Sequence, residues 1–192
     1  MRESRSALIA YYYFDFRDRA KRKVEGLLAS LLWQLADNSD PCFNIVSETC
    51  HNNLDQPSND TLAECLKTVL NLPGQVPVYI IVDALDECRN DIGSPSDRDR
   101  TLGFVQDLVE SNLPNLFICV ISRPEHDIRT ILDPLTSSSS SRLISLHEEV
   151  GQREDINSYI RFFVHNHYEM RRWRNQDKEL VIDTLSERAA GM

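Results

Sequence analysis

The chain has 192 residues, of which 41% are hydrophobic and 27% charged, enough to form the core of one globular domain. Its 21 basic and 30 acidic residues give a net charge of −9, and this excess of negative charge argues against nucleic acid as a partner. No apolar run reaches the roughly 18–20 residues that a membrane-spanning helix needs, and no signal-peptide cleavage site follows the first apolar run. We therefore expect a cytoplasmic protein with no membrane partner.

Three apolar runs predict the strands of a sheet. They span residues 7–14, 76–82 and 116–121 and are rich in β-branched or aromatic side chains. None of them alternates cleanly with polar residues, which predicts strands covered on both faces, as in a parallel sheet between two layers of helices. Residues 142–146 form a shorter fourth candidate.

The segments between and after these runs have the period of amphipathic helices. Apolar residues recur at helical spacing over residues 24–35, 62–70, 102–109, 156–167 and 180–189. Thr61 and Glu64 have the spacing of a capping box at the start of the second of these segments. Strands that alternate with helices predict an α/β fold with a mainly parallel sheet.

The second predicted strand runs into three acidic residues, Asp83, Asp86 and Glu87. The carboxyl ends of parallel strands form the edge of the sheet at which ligands bind. A carboxylate there suits a hydrated Mg²⁺, which takes one or two protein carboxylates and bridges the phosphates of a nucleotide. Asp86 and Glu87 would orient or deprotonate the attacking water. An acidic helix N-terminus explains the same spacing equally well.

The third predicted strand ends in Ser122 and Arg123. If neighbouring strands end together, both side chains lie near Asp83, where a planar and permanently charged guanidinium suits a γ-phosphate. The alternative is a simple ion pair of Arg123 with Glu125 or Asp127.

Together these segments resemble the NACHT-type branch of the signal-transduction P-loop ATPases, and in particular the nephrocystin-3-like N-terminal domains of fungal receptor proteins. The resemblance rests on residues 79–88, YIIVDALDEC, which match that family's Walker B element. It is supported by the aromatic strand 10–16 with the helix 27–35, and by residues 121–124, ISRP, which resemble the family's sensor strand.

The resemblance implies a three-layer α/β sandwich of the P-loop NTPase type that binds Mg²⁺ with ATP or GTP. Asp83 would be the metal-site carboxylate, Asp86 and Glu87 the acids that support hydrolysis, and Ser122 and Arg123 the residues that contact the nucleotide. The expected partners are the nucleotide, other protein modules and further copies of the chain.

The sequence departs from this family at the phosphate-binding loop, Gly-x-x-x-x-Gly-Lys-Ser/Thr. None of the six glycines precedes a lysine, so the backbone cradle and the lysine that bind the phosphates are absent from these 192 residues. We therefore expect residues 1–192 to be a partial NTPase domain that lacks its first strand and phosphate loop and ends within or just after the core. On its own it is not expected to hydrolyse nucleotide.

Three functions stay open at this point. The first is nucleotide-switched signalling, in which binding and slow hydrolysis of ATP or GTP control oligomerisation. The second is an inactive interaction module that keeps the fold and binds proteins without a nucleotide. The third is a magnesium-dependent phosphohydrolase that uses only Asp83, Asp86 and Glu87. The basic run 17–23 is likewise open, as a patch that binds nucleic acid or phosphate or, in the interpretation we favour here, as the solvated first turn of a helix.

Overall fold

The structure, a computed structural model, describes residues 6–52, 57–90, 95–137, 141–144 and 150–189. The chain divides into two compact units, residues 1–141 and residues 142–192. None of the helices in the described ranges combines the length and the hydropathy that crossing a membrane requires.

The first unit contains a three-stranded parallel sheet. Its strands are β1 (Leu8–Tyr13), β2 (Val78–Asp83) and β3 (Leu116–Val120), and β2 lies in the middle. Tyr13 pairs with Asp83 and Val82 pairs with Val120, so the three strands end together at one edge of the sheet. This confirms the predicted α/β class, the parallel sheet and the three strands.

The described residues of the same unit form five α-helices: α1 (Val24–Asn38), α2 (Asp40–Asn52), α3 (Asn59–Leu70), α4 (Asp97–Glu110) and α5 (His126–Leu135). α1 packs against β1, α3 and α4, and its predicted apolar stripe is buried throughout. The side chains of α1, α3 and α4 form one core with the inward-facing residues of the sheet. α2 and α5 were not predicted.

Only one face of the sheet is covered in the described part of the chain. Burial alternates along β1 and β2, with Ala10 and Ile80 among the buried residues. The other face is apolar but exposed, and we call it the open face; its large side chains are Ile9, Tyr11, Tyr13, Tyr79, Phe117 and Ile121. The prediction of strands covered on both faces is therefore wrong for these residues. Because both faces carry apolar side chains, the sequence did not reveal the period of two.

The predicted capping box at Thr61 is also wrong. α3 begins earlier, at Asn59, and Ser58 is its N-cap, since the Ser58 hydroxyl accepts a hydrogen bond from the Thr61 backbone N–H at 3.1 Å. A reciprocal capping box does form at the start of α4, between Ser96 and Asp99.

The second unit contains α6 (Val150–Asn166) and α7 (Asn175–Ala189), which correspond to the fourth and fifth predicted helices. The two helices pack together, with Val164 and Ile182 buried. Of the fourth strand candidate, residues 142–144 have no regular structure, and residues 145–146 lie outside the described ranges.

Candidate functional site

The acidic segment leaves β2 through a sharp turn. Asp83 is the last residue of the strand and is exposed, and one of its carboxylate oxygens accepts a hydrogen bond from the Ala84 N–H at 2.7 Å. Ala84 has a φ of +52°, in the left-handed region that alanine seldom occupies. Leu85–Glu87 then form a single turn of 3₁₀ helix, anchored by the fully buried side chain of Leu85. The acids thus lie on a short turn at the strand end, and the first turn of the next helix, α4, begins only at Asp97.

Asp86 joins the end of β2 to the end of β3. One carboxylate oxygen accepts hydrogen bonds from the Arg123 backbone N–H at 3.0 Å and from the Ser122 hydroxyl at 3.3 Å. The other oxygen lies 3.5 Å from the Arg123 Nε. The Asp86 side chain is only 10% exposed, whereas the Arg123 side chain is 82% exposed and points its charge towards solvent. The structure therefore brings three of the predicted residues into direct contact.

Glu87 reaches in the opposite direction, to the loop after β1. Its Oε2 accepts a hydrogen bond from the Phe16 backbone N–H at 2.9 Å. Between them, Asp86 and Glu87 connect the three loops that follow the three strands, and both carboxylates hold backbone donors in place. No comparable contact joins Asp83 to Ser122 or Arg123 among the described residues, although all three lie at the same edge of the sheet.

Arg98, on α4, is a central residue of this region that the sequence analysis did not identify. Its buried guanidinium donates to the carboxylates of Glu125 and, at 3.2 Å, Asp127. It also donates to the carbonyl oxygens of Asp86 and, at 3.3 Å, Cys88. Burial works to lower the pKa of Arg98, but the two carboxylates outweigh it and raise that pKa. Glu125 and Asp127, the alternative partners considered for Arg123, therefore pair with Arg98.

The residue after the acids is a buried, neutral thiol. Burial raises the pKa of Cys88 to about 11, and its sulfur lies 3.5 Å from the Arg22 carbonyl oxygen and 3.7 Å from the Thr101 hydroxyl. Tyr12, on the covered face of β1, behaves similarly, since burial raises the pKa of its hydroxyl to about 12. Both groups contribute to packing beneath the site and stay uncharged at neutral pH.

The carboxylates at this edge can hold a magnesium ion only if waters or a ligand supply most of its oxygen contacts. In the described ranges no group of three or more His, Cys, Asp or Glu residues is arranged to hold a metal. Asp83 offers an exposed carboxylate with one oxygen already bonded to Ala84. Mg²⁺ keeps several waters and takes one or two carboxylates together with substrate phosphates, so this sparse site suits it.

These features define an α/β domain with a parallel sheet. Its central strand ends in an acidic turn, and Asp86 of that turn bonds to Ser122 and Arg123, which follow β3. The family model described as Nephrocystin 3, N-terminal, matches residues 1–123, well over half of the chain, and the chain belongs to that family. The matched range takes in all three strands and all five predicted site residues. No curated protein and no solved structure matches the chain.

Proposed function

We propose that this domain is the core of a nucleoside-triphosphate switch of the signal-transduction type, binding ATP or GTP with Mg²⁺. The observation that carries the proposal is the bonding of Asp86 to Ser122 and Arg123. It places acidic and basic groups from two neighbouring strands at the edge of the sheet where α/β domains bind ligands.

In this proposal Asp83 holds the magnesium ion, which would neutralise charge on the nucleotide phosphates.

Glu87 and Asp86 differ in whether a carboxylate oxygen is available to orient water. Both oxygens of Asp86 interact with Ser122 or Arg123, whereas Glu87 uses Oε2 for the Phe16 N–H and has no described partner for Oε1. Glu87 is therefore the better candidate to position an attacking water, and Asp86 the better candidate to position Arg123.

Arg123 supplies the difference between two states that a switch requires. Its Nε contacts Asp86 at 3.5 Å while most of the side chain is exposed, so the interaction is weak and easily exchanged. A γ-phosphate would draw the guanidinium away from Asp86, but the Arg123 backbone N–H would keep its 3.0 Å bond to the same carboxylate. The side chain can thus respond to the ligand while the loop that carries it stays in place.

The phosphate-binding loop has to come from outside these 192 residues, since the sequence contains no Gly-Lys pair. In the described residues β3 pairs on one side only, with β2. A further parallel strand at this free edge of β3 would end beside Ser122 and Arg123. The chain would have to cross the sheet from this added strand to β1, which is the opposite direction to the crossings from β1 to β2 and from β2 to β3. Because such crossovers are right-handed, reversing the direction places the connecting helix on the other face of the sheet, the open face. The proposal therefore also accounts for the apolar character of that face.

The test is calorimetric titration of Mg-ATP and Mg-GTP into this chain and into a natural polypeptide that carries the same domain behind a phosphate loop. At the strand ends we expect negligible binding by the 192-residue chain and binding in about the micromolar range by the longer one. In the longer polypeptide, Asp83→Asn and Arg123→Gln should each weaken binding at least about tenfold. Arg129→Gln, which removes an exposed charge from α5, is the matched control.

Two results would contradict the proposal. Tight binding by the 192-residue chain that Asp83→Asn abolishes would show that the phosphate loop is dispensable, whereas binding that this variant leaves unchanged lies elsewhere on the chain. Full affinity in the Asp83 and Arg123 variants of the longer polypeptide would show that the strand-end residues do not contact the nucleotide.

A further inference from the structure

A second charged site lies beside the acidic turn. It is a cleft of about 610 Å³ lined by Arg19, Ala20, Arg22, Lys23 and Arg89, so four of its five lining residues are cationic. The cleft lies between residues 19–23 and Arg89, and these two parts of the chain are joined directly, because the Arg89 backbone N–H donates to the Arg22 carbonyl oxygen at 2.9 Å. In a chain of net charge −9 this is a local reversal of sign, and cations around a concave surface raise the potential inside it.

The basic run 17–23 is divided by the fold into two groups. The side chains outside the cleft have partners of their own, since Arg17 Nε donates to Asp15 at 3.0 Å and Lys21 Nζ lies 4.0 Å from the centre of the Tyr13 ring. The remaining cations of the run, at positions 19, 22 and 23, line the cleft and have no acidic partner among the described residues. The cations of this run therefore have two different surroundings.

The side chain of Arg22 has one hydrogen-bond donor without an acceptor among the described residues. Its Nε is buried and has no hydrogen-bond acceptor in the described part of the chain. A buried charged donor without an acceptor costs free energy, so such atoms in folded proteins normally meet a protein group, a water or a ligand. An anion in the cleft that Arg22 lines would provide that acceptor.

The N-terminus of α1 lies next to the cleft in the sequence, since its N-cap residue, Lys23, lines the cleft. Lys23 is the N-cap residue of α1 and its side chain makes no capping bond, so the first N–H groups of the helix lack the usual side-chain acceptor. A helix N-terminus favours anions through these N–H groups and through the helix dipole. The 15-residue helix thus begins directly after Lys23, a residue that lines the cleft.

We propose that this cleft binds a small anion that carries several phosphate groups. The cleft has the volume of a small-molecule site, and arginine forks match phosphate oxygens in pairs. The acidic character of the chain as a whole disfavours a long nucleic acid. The phosphate groups belong either to a soluble polyphosphate compound or to a multiply phosphorylated lipid headgroup. This site is separate from the proposed nucleotide function and does not depend on it.

The experiment is calorimetric titration of inorganic tripolyphosphate into the full chain, in the presence of EDTA and without nucleotide. Without magnesium the acidic strand end repels the probe, so any binding comes from elsewhere. We expect one site, whose affinity falls at least about tenfold in Arg22→Gln and in Lys23→Gln. Arg17→Gln is the matched control, because it removes the same charge from the same run but outside the cleft, and it should change the affinity by less than about twofold.

Circular dichroism of each variant checks that the fold is kept, which we expect because the Arg22 contacts to Arg89 and Cys88 use its backbone carbonyl oxygen. Phosphatidylcholine vesicles with and without a multiply phosphorylated phosphoinositide identify the source of the phosphates. Binding of tripolyphosphate alone assigns a soluble ligand, and binding of the phosphoinositide vesicles as well assigns a lipid headgroup.

Three results would overturn the proposal. One is no binding of either probe by the wild-type chain. Another is a loss in the Arg17 variant as large as in the Arg22 and Lys23 variants. The last is tighter binding of a single-stranded oligonucleotide than of tripolyphosphate, which would make the cleft part of a nucleic-acid surface.

Discussion

Replacing Arg98 with methionine should destabilise the first unit by about 3 kcal/mol. The guanidinium makes two bonds to the backbone carbonyl oxygens of Asp86 and Cys88, and a charged donor in such a bond contributes roughly 1.5 kcal/mol or more. The carboxylates of Glu125 and Asp127 are 44% and 37% exposed, so each of those ion pairs adds only about 0.5 kcal/mol. Burial of the methionine side chain offsets about 1 kcal/mol of the loss.

Urea unfolding followed by circular dichroism measures this loss. Arg129→Met is the control, since Arg129 is 60% exposed and makes only an i,i+4 pair with Asp133, which stabilises by about 0.3–0.5 kcal/mol. Arg98→Lys should recover less than half of the stability, because an ammonium group lacks the fork that reaches both the turn and the loop. A loss below about 1 kcal/mol in Arg98→Met, or an equal loss in the control, would refute the central role of this residue.

Three further predictions concern the packing under the site. In thermal melts, Gly26→Ala should destabilise the fold, because a Cβ at this position would lie 2.7 Å from a backbone oxygen. Gly103→Ala should instead stabilise α4 by up to about 1 kcal/mol, because a Cβ there would meet no atom within 4 Å. Ala84→Gly should raise the free energy of unfolding by about 0.5–1 kcal/mol by relieving the left-handed backbone, and a decrease would show that the turn is not strained. The pKa of Tyr12 is raised from 10.0 to about 12 and that of Cys88 from 9.0 to about 11. As the pH rises, these groups therefore lose their protons in the unfolded chain before they do so in the folded one. The free energy of unfolding, measured by urea titration, should be at its full value below about pH 9 and fall towards pH 12. Tyr12→Phe should weaken this pH dependence and cost nothing at neutral pH, because the buried hydroxyl has no hydrogen-bond partner in the described residues.

The positions of the candidate residues at the strand ends could be predicted because they depend on the local sequence. Asp83 and Ser122 each follow a continuous apolar run, and parallel strands of similar length end at one edge of a sheet. The register of β2 with β3 confirms that geometry. The bond from Asp86 to Arg123 follows from it, since the turn after β2 and the residues after β3 must pass one another.

Arg98 could not be found in the same way. Its partners Glu125 and Asp127 lie 27 and 29 positions away, and a buried arginine in a charged stretch of sequence looks like any solvated helix residue. α5 did carry a signal, because Ile128, Ile131 and Leu132 have helical spacing and pack on the core. Pro134, which normally ends a helix, obscured that signal, although in the structure it lies one residue before the end of α5.

The open face also bears on how the protein can be handled in solution. Tyr79 and Phe117 stack on it with ring centres 4.9 Å apart, and both side chains are exposed to solvent. The mutual repulsion of molecules of charge −9 opposes the clustering of such surfaces, and it vanishes near the isoelectric point of about 5.0. Purification in mildly acidic buffer or at high salt should therefore precipitate the protein, whereas neutral, dilute buffers should keep it dispersed.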